Sequence, residues 1–386
     1  MNINSVAVLG GGNGAHAFAA DLALRGYEVS MFELPRFAER FRPTLEGKSI
    51  KIAPVFGPET AEKFKVPDGT AKLSKVTTNI EEAVRDVQVI IVCCPAYGHN
   101  EFANVLAPHV REGHIVLLAP GALGAVEFEN VFKKKGTSQH ISFAETTLLP
   151  YGTRMTGPAE VRAVVANEVR FAAYPAKNTQ ELFEILKPLI RGLVPATNIL
   201  ATTLLNSNCV QHPPALLLNM ANVEVLKEVY LYRDWTTDIV GNVMDEIDEE
   251  KKKLCDFLNI NYVMRYYLIY GEGLDVVTRE GISFVGKKGD MYRKGDGLGA
   301  KYLRELVYRL IEGPHSITDR MFTEDVPFGM IPAVSLGRFF KIEMPVCESF
   351  ITLTSKICSQ DFWKTGRTLA KIGLEFNSLE ELLSKL

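Results

Sequence analysis

Short apolar runs alternate with longer mixed stretches through the first half of the chain. The strands predicted from these runs are 6–9, 27–32, 88–94, 115–118 and 141–144. Helices are predicted between them over 17–25, 80–84 and 100–110. Continuous apolar runs of this length are typical of parallel strands that are buried on both faces. The alternation predicts an N-terminal α/β domain of the Rossmann type, with helices on both faces of the sheet.

The second half of the chain has a different pattern. Two more strands are predicted at 161–165 and 169–174, joined by a turn and extending the same sheet, but after Thr179 the pattern is helical almost throughout. One predicted helix face consists of Ile239, Val243, Ile247, Leu254 and Leu258, and 302–311 repeats the pattern. A chain of 386 residues exceeds one ordinary core. We therefore expect a Rossmann-type domain over 1–195 and an all-α domain over 196–386.

A glycine motif follows the first predicted strand. Gly10-x-Gly12-x-x-Ala15, with Asn13 and Gly14 between, has the dinucleotide-binding form G-x-G-x-x-G/A. Gly10 permits the tight turn, Gly12 lets backbone N–H groups approach a pyrophosphate, and Ala15 lets the helix lie close to the sheet. The phosphates are expected at the N-terminus of the helix, where unpaired N–H groups favour negative charge.

The end of the second predicted strand bears on the choice of dinucleotide. Glu33 lies about 20 residues beyond the glycines, where an acidic residue accepts the ribose hydroxyls of NAD. A carboxylate there also repels a 2′-phosphate. Arg36 lies close enough to serve a 2′-phosphate instead. NAD is favoured as the cofactor, and NADP stays open.

Composition excludes several classes of function. The formal net charge is −3 and there is no basic block, so neither nucleic acid nor an anionic membrane is an expected partner. The six cysteines and seven histidines lack the spacing of metal ligands, and we expect neither a metal nor a disulfide. The chain shows no signal-peptide pattern and no apolar run long enough to span a bilayer, which predicts a cytoplasmic protein.

The loops after the strands are candidates for a cleft. Ligands bind beyond the carboxyl ends of strands in such sheets, which places 94–96, with Pro95, and the segments 119–121 and 145–147 at the cofactor and substrate site. A dehydrogenase also needs a proton donor, and His212 is the candidate. It ends a polar patch before Pro213-Pro214, which suggests a helix break beside a cavity. Its alternative is a buried structural histidine.

The chain resembles the opine dehydrogenase family, also called the octopine/nopaline dehydrogenases, over nearly its whole length. The motifs that carry the resemblance are 10–17 (GGGNGAHA), 95–99 (PAYGH), 120–124 (PGALG), 145–147 (ETT), Asn206-x-Asn208-x-x-x-His212-Pro213, 320–326 (RMFTEDV) and 366–369 (GRTL). One departure is Glu33-Leu34-Pro35-Arg36, which replaces a more usual aspartate-containing run.

The resemblance implies roles for particular residues. His212 is implied as the catalytic acid/base and Asp325 as its partner, although a helix-capping role for Asp325 stays open. Arg320 is implied to reach the cofactor pyrophosphate. Glu145 is implied to line the amino-acid pocket, beside Thr147. The helical domain is expected to resemble the C-terminal domain of 6-phosphogluconate dehydrogenase.

The implied reaction is a reversible, NAD(P)H-dependent reductive condensation of a 2-oxo acid, such as pyruvate, with the amino group of an amino acid. One alternative is a 2-hydroxyacid or ketopantoate-type dehydrogenase, but such enzymes use a lysine early in the helical domain and 193–219 contains none. Another is a non-catalytic dinucleotide sensor, which the loss of His212 or Asp325 would have favoured. The identity of the amino acid, and the choice between a monomer and a homodimer, stay open.

Overall fold

The computed structural model describes residues 3–55, 67–137, 140–166, 168–225, 230–262, 274–278, 281–285, 313–314 and 316–386. The helix predicted over 302–311 lies outside these residues. The chain divides into two compact units. Unit 1 contains Met1–Thr203 and Ile372–Leu386, and unit 2 contains Leu204–Lys371.

This division differs from a boundary at 195/196 in two respects, and contacts inside unit 1 account for both. The Thr202 hydroxyl donates a hydrogen bond to Glu145 at 2.7 Å, which keeps the segment after 195 in the first unit. The last residues of the chain return to it as well. The Asn130 side-chain amide donates to the Ile372 carbonyl, and the Ala176 N–H donates to the Leu386 carbonyl.

Unit 1 contains both strands and helices, whereas the part of unit 2 that the structure describes is helical apart from one hairpin. The strands are β1 Ser5–Leu9, β2 Glu28–Phe32, β3 Ser49–Pro54, β4 Gly69–Lys72, β5 Lys75–Thr77, β6 Val89–Val92, β7 Ile115–Leu118, β8 Ser142–Thr146, β9 Tyr151–Gly157, β10 Glu160–Val165, β11 Val169–Tyr174, β12 Leu193–Pro195, β13 Leu274–Thr278 and β14 Gly281–Val285. The described helices are α1 Asn13–Leu24, α2 Ala38–Gly47, α3 Ile80–Val84, α4 His99–Leu106, α5 Gly124–Lys134, α6 Thr179–Leu186, α7 Ile199–Leu204, α8 Asn208–Leu217, α9 Met220–Val225, α10 Leu231–Trp235, α11 Asp238–Phe257, α12 Arg320–Thr323, α13 Ile331–Phe340, α14 Pro345–Ile357, α15 Phe362–Thr365 and α16 Leu379–Ser384.

Unit 1 is built on an eight-stranded sheet of order β12-β11-β8-β7-β6-β1-β2-β5. Its strand pairs are parallel except for β11 with β8. The order reverses at β1, which has β2 on one side and β6 on the other. In an open α/β sheet this switch point is where ligands bind, beyond the carboxyl ends of the strands.

A second sheet, of order β4-β3-β10-β9, corrects one sequence prediction. The strand predicted at 161–165 forms as β10 but does not extend the main sheet, because it pairs with β3 and β9 instead. Only β11 joins the main sheet, antiparallel to β8. The predicted end of β8 also moves, since pairing with β7 and β11 carries the strand through Glu145 to Thr146.

The second sheet explains why the first helix is not amphipathic. All residues of α1 from Gly14 to Leu22 are buried. One apolar cluster joins α1 to strands of both sheets, including Val6 of β1 and Ile50 of β3. The helix is therefore covered on both sides, and small alanines alternate with large side chains along it. The opposite face of the main sheet carries a separate cluster with α3, α4 and α5.

In unit 2 the predicted face of the long helix α11 is buried at Ile247, Leu254 and Leu258 but differs at the start of the helix. There Ile239 is 75% exposed, and Val240 and Met244 are buried instead. Lys251 falls on the same buried face. The hairpin β13–β14 was not anticipated by the sequence analysis. Among the described residues no helix is both long and apolar enough to cross a membrane.

Candidate active site

The glycine motif forms the turn between β1 and α1 as predicted. Gly10 has φ +124°, and a Cβ there would lie 2.3 Å from the Cys93 carbonyl oxygen, so only glycine fits. A Cβ at Gly12, by contrast, would meet nothing within 4 Å. Gly12 is the N-cap of α1, and no side chain caps the helix there. The first turn of α1 therefore has no side-chain cap for its N–H groups and begins beside open space at Gly12, the arrangement that suits phosphate.

Asn13 fixes this turn to the second sheet. Its side-chain oxygen accepts a hydrogen bond from the Met155 N–H at 3.0 Å. Gly14 and Ala15 are both buried, and a Cβ at Gly14 would lie 2.8 Å from the Cys93 sulfur. The motif residues after Gly12 thus hold the turn against β9 and β6.

Glu33 directly follows β2 and lies beside the glycine turn, because a Cβ at Gly11 would be 2.7 Å from its Oε2. Its Oε1 accepts a hydrogen bond from the Leu34 N–H at 2.7 Å. Burial raises the pKa of Glu33, against the lowering effects of the Leu34 and Gly11 N–H groups and of nearby arginines. The carboxylate is therefore placed at the end of β2, next to the space that Gly12 leaves open.

Arg36 lies near Glu33 but has a partner of its own. Its guanidinium forms an ion pair with Glu101 of α4, and it also stacks over the Phe37 ring at 4.5 Å. Both members of the ion pair are exposed, so the pair is worth at most about 1 kcal/mol. The ion pair with Glu101 therefore restrains the Arg36 side chain only weakly.

The loops beyond β6, β7 and β8 lie at one edge of the sheet. Val92 pairs with Leu118, and Leu118 pairs with Glu145, so the segments that follow are neighbours. Pro95 starts a single turn, in which the Gly98 N–H donates to its carbonyl at 2.8 Å. The structure thus brings these predicted cleft segments together in unit 1.

Both oxygens of the Glu145 carboxylate are engaged inside unit 1. Oε1 accepts hydrogen bonds from the Leu123 N–H at 3.2 Å and from the Thr202 hydroxyl at 2.7 Å. Oε2 accepts from the Ala125 N–H at 3.2 Å. The side chain is fully buried. Glu145 therefore joins the start of α5 to α7.

Thr147 is also buried and points toward a neighbouring strand. Its hydroxyl and its N–H both donate to the Arg170 carbonyl, at 3.2 Å and 2.8 Å. The structure places Thr147 next to Glu145 in the chain, but the polar atoms of the two side chains face different partners.

In unit 2, α8 carries His212 through the double proline without a break. Pro213 and Pro214 lie inside the helix, which continues to Leu217, so the break predicted there is wrong. The interruption lies earlier, between α7 and α8, where the Asn206 side chain accepts a hydrogen bond from the Asn208 N–H at 2.9 Å. The polar patch therefore lies at the start of α8 and not at a helix end.

His212 and Asp325 meet although 113 residues separate them in the chain. His212 Nδ1 lies 2.7 Å from Asp325 Oδ2, and both side chains are buried. Asp325 precedes a five-residue π-helical turn, Val326–Met330, but its side chain caps no helix. The helix-cap interpretation of Asp325 therefore does not apply.

The second ring nitrogen of His212 contacts a residue that the sequence analysis missed. The Tyr232 hydroxyl, on α10, lies 2.9 Å from His212 Nε2. Tyr232 is 5% exposed and His212 is 7% exposed. No spacing in the sequence signals this contact, since it joins two helices whose approach is set by the tertiary fold.

Arg320 begins α12, five residues before Asp325. Its guanidinium lies 3.7 Å from Glu324 Oε2 and is partly exposed. Burial lowers the pKa of Arg320, but Glu324, Asp325, Asp319 and Tyr232 outweigh it and raise the pKa. The arginine thus lies in the electrostatic field of the His212 cluster.

A buried lysine supports the start of α8. Lys251 Nζ donates hydrogen bonds to the Asn206 carbonyl at 2.7 Å and to the Cys209 sulfur at 3.1 Å. Burial raises the pKa of Cys209, so the thiol stays protonated. A lysine on an otherwise apolar helix face was the available signal for this contact, and the predicted face omitted position 251.

Two family models match the chain. Residues 195–358 match the α-helical domain of NAD/NADP octopine/nopaline dehydrogenases. Residues 5–118 match a model described as coenzyme F420-dependent NADP oxidoreductase. An opine dehydrogenase of Arthrobacter sp. (strain 1C) is 32% identical over 373 residues, 95% of this chain and 94% of the relative. The chain belongs to the opine dehydrogenase family.

Solved structures of opine dehydrogenases share the fold. Octopine dehydrogenase with NADH and L-arginine superposes with a TM-score of 0.72 at 18% identity, covering 98% of each chain. Yersinopine dehydrogenase with NADP⁺ gives a TM-score of 0.67 at 14% identity, covering 99% of this chain and 97% of that one.

This opine dehydrogenase family member is an NAD(P)-dependent oxidoreductase, and its own residues fit the dinucleotide. The uncapped first turn of α1 and the space above Gly12 suit a pyrophosphate. The Glu33 carboxylate suits ribose hydroxyls. The bound nicotinamide supplies a hydride; the proton chemistry falls to side chains of the protein.

The contacts of Glu145 generate a test of its role. Glu145→Gln places an NH₂ group against N–H donors, so we expect the free energy of unfolding to fall by about 1–3 kcal/mol. Urea denaturation of the full chain measures the loss. Glu160→Gln is the control, because Glu160 forms only an exposed pair with Lys51. Unchanged stability in Glu145→Gln would show that the carboxylate does not anchor α5 and is available to a ligand.

Proposed function

We propose that the protein condenses a 2-oxo acid, with pyruvate as the first choice, with the amino group of an amino acid and reduces the product with NADH. In the reverse direction it would oxidise the CH–NH bond of an opine. The observation that carries the proposal is the buried His212–Asp325 contact of 2.7 Å in the helical unit. The Arthrobacter relative is an opine dehydrogenase, and octopine dehydrogenase has been solved with NADH and pyruvate.

The acid/base role of His212 follows from its partner. A carboxylate only accepts hydrogen bonds, so Asp325 holds the proton of His212 on Nδ1 and leaves Nε2 as the exchanging nitrogen. Condensation needs an acid to protonate the departing hydroxyl of the carbinolamine and a base to take the proton of the amine. The paired carboxylate stabilises the imidazolium that forms between these steps.

We assign Arg320 to an anionic group, the cofactor pyrophosphate in the first instance. Guanidinium geometry suits phosphate and carboxylate oxygens. Glu324 lies one helical turn along at 3.7 Å and restrains the guanidinium, and the partly exposed side chain keeps its donors accessible. For Glu145 and Thr147 we propose a supporting role at the substrate edge of the sheet, since their polar atoms already have partners.

The activity itself is tested with combined substrates. NADH absorbance should fall when a 2-oxo acid and an amino acid are both present, and a panel of amino acids crossed with several 2-oxo acids identifies the preferred pair. Omission of either substrate is the control. Consumption of NADH with the 2-oxo acid alone would favour the 2-hydroxyacid dehydrogenase alternative, and no consumption with any pair would favour a dinucleotide sensor.

The dyad is tested by single and double substitutions. His212→Ala should lower kcat by roughly 10²–10⁴, the range for a positioned acid/base, and leave NADH binding unchanged. Asp325→Asn should also lower kcat. Because residues that act as one unit are non-additive, the double variant should be little worse than His212→Ala.

The control for these variants is Asp361→Asn, which alters an exposed aspartate of unit 2 that caps α15. It should turn over at the rate of the unmodified protein. Fully additive losses in the His212/Asp325 double variant would show that the two residues act separately, and would remove the dyad from the mechanism.

For the cofactor we propose a preference for NADH over NADPH, set by Glu33. Glu33→Ala should bring the ratio of the NADPH and NADH dissociation constants closer to one, as measured by fluorescence titration. Burial raises the pKa of Glu33, so acidification should protonate the carboxyl and weaken the preference at a higher pH than for an ordinary glutamate. Glu101→Gln removes the ion pair between Glu101 and Arg36. It should strengthen the binding of NADPH and leave the binding of NADH unchanged. Equal binding of both cofactors by the unmodified protein would contradict the assignment.

A further inference from the structure

We propose that His16, on the first turn of α1, is a positioning residue for the pyrophosphate of the cofactor. It acts through the peptide between Gly12 and Asn13, whose carbonyl its side chain holds against the start of the helix. The inference concerns only the dinucleotide, so it does not depend on which 2-oxo acid or amino acid the protein uses.

The place of His16 in the helix calls for an explanation. Its side chain is 2% exposed, and every residue of α1 from Gly14 to Leu22 is buried. The other residues of this buried stretch are small or apolar, apart from Asp21. Burial of a polar ring costs free energy unless its nitrogens are hydrogen-bonded. The partners of the two ring nitrogens therefore indicate what the histidine does.

Both ring nitrogens of His16 have a partner. Nδ1 lies 3.0 Å from the Gly12 carbonyl oxygen, and Nε2 lies 2.8 Å from the hydroxyl oxygen of Thr44, on α2. A carbonyl oxygen only accepts hydrogen bonds, so Nδ1 carries a proton and donates it to Gly12. Burial lowers the pKa of His16, against the raising effect of the Gly12 carbonyl. The ring is therefore neutral at neutral pH, and Nε2 accepts a hydrogen bond from the Thr44 hydroxyl.

The Gly12 carbonyl accepts two hydrogen bonds as a result. The backbone N–H of His16 donates to it at 3.1 Å, as the first turn of a helix requires, and the imidazole adds the second. In a trans peptide the carbonyl and the following N–H point in opposite directions. The same restraint therefore points the Asn13 N–H out of the helix start, where it suits phosphate. A rotated peptide would present its carbonyl oxygen to the phosphates instead and repel them.

The residue type at position 12 makes the extra hydrogen bond useful. Gly12 has no Cβ to limit rotation about its backbone bonds, and a Cβ there would meet nothing within 4 Å. The Asn13 side chain restrains the other end of the peptide, because its oxygen accepts a hydrogen bond from the Met155 N–H at 3.0 Å. The peptide is thus held on both sides by side chains, and His16 holds the side that determines where the N–H points.

His16 also connects the pyrophosphate turn to α2. Its ring lies edge-on to Phe41, with an interplanar angle of 81° and centroids 6.1 Å apart. Phe41 and Thr44 are both buried. α2 begins at Ala38, five residues after Glu33, to which we assign the ribose hydroxyls. The histidine therefore joins the turn that suits the pyrophosphate to the helix that follows the ribose segment.

The first test separates the two ring nitrogens. The side-chain amide nitrogen of asparagine can replace Nδ1, whereas that of glutamine can replace Nε2. We expect His16→Gln, which loses the bond to Gly12, to raise the Kd of NADH and of ADP-ribose by about 3–10-fold, the range for one hydrogen bond. His16→Asn should keep that bond and bind both ligands as tightly as the unmodified protein. Fluorescence titration measures the Kd of NADH, and calorimetry measures that of ADP-ribose.

The controls show whether the effect belongs to the pyrophosphate. Adenosine has no phosphate, so its Kd should be the same in His16→Gln and in the unmodified protein. The kcat at saturating NADH should also be unchanged, because His16 acts on binding alone. His114→Gln is the matched variant, since His114 is also buried and its Nδ1 accepts the Arg111 N–H at 3.0 Å. It precedes β7, at the opposite edge of the sheet, and its replacement should leave the Kd of NADH unchanged.

A second measurement uses the unmodified protein and needs no turnover. The ¹⁵N and ¹³Cδ2 resonances of His16 should show a neutral ring with its proton on Nδ1. A proton on Nε2 would mean that the ring does not donate to Gly12 and would overturn the inference. If His16→Gln fails to fold, His16→Asn decides together with this measurement, because weakened binding of ADP-ribose by His16→Asn would overturn the inference as well.

The outcomes are independent of the proposed function. If the protein makes no opine, the proposed reaction fails, and the Kd values of NADH and ADP-ribose still decide the role of His16. An unchanged Kd of ADP-ribose in His16→Gln would show that the hydrogen bond to Gly12 serves only the fold. An equal loss of adenosine and ADP-ribose binding would show a general disturbance of the domain, and would also overturn the inference.

Discussion

A buried carboxylate needs a partner, and in unit 2 this requirement organises the structure around Asp325. Removing a carboxylate from water costs several kcal/mol unless hydrogen bonds or an opposite charge compensate. Asp325 obtains its compensation from His212, which lies on a distant part of the chain. This contact therefore helps to set the position of α8 relative to the turn at Val326–Met330.

Other buried charges of unit 2 support the same helix and its neighbours. The buried charge of Lys251 is compensated by the hydrogen bond that its Nζ donates to the carbonyl of Asn206, in the segment that leads into α8. Glu250, on the adjacent position of α11, accepts hydrogen bonds from the N–H groups of Val346 and Cys347 at 2.8 Å and 2.9 Å, and so starts α14. α11 therefore holds two other helices through polar contacts, although its buried face is mostly apolar.

The sequence predicted the parts of the fold and site that depend on local rules. The glycine turn, Glu33 at the end of β2 and the strands β6 and β7 follow from spacing and apolar runs, because backbone geometry at these places is set by neighbouring residues. The second sheet was missed because β3, β4 and β9 lack the continuous apolar runs of the main sheet and are paired by tertiary contacts. The face of α11 was predicted correctly at Ile247 and Leu254 and wrongly at Ile239, because the packing of the first turn depends on tertiary contacts rather than on local spacing.

The same distinction explains what was visible in the site. His212 and Asp325 were found through a family motif, whereas Tyr232 and Lys251 belong to no local pattern and appear only when helices pack.

The roles of all these residues stay predictions, but the free energy that burial of their polar groups costs is informative. A buried ion pair is often no more stabilising than apolar residues of the same shape, and removal of one partner costs about 3–5 kcal/mol. Apolar residues such as a leucine at 212 and a methionine at 325 would therefore stabilise the fold as well as the polar pair does. The buried His212–Asp325 contact, with the Tyr232 hydroxyl beside it, is therefore better explained by the acid/base role proposed for His212 than by stability.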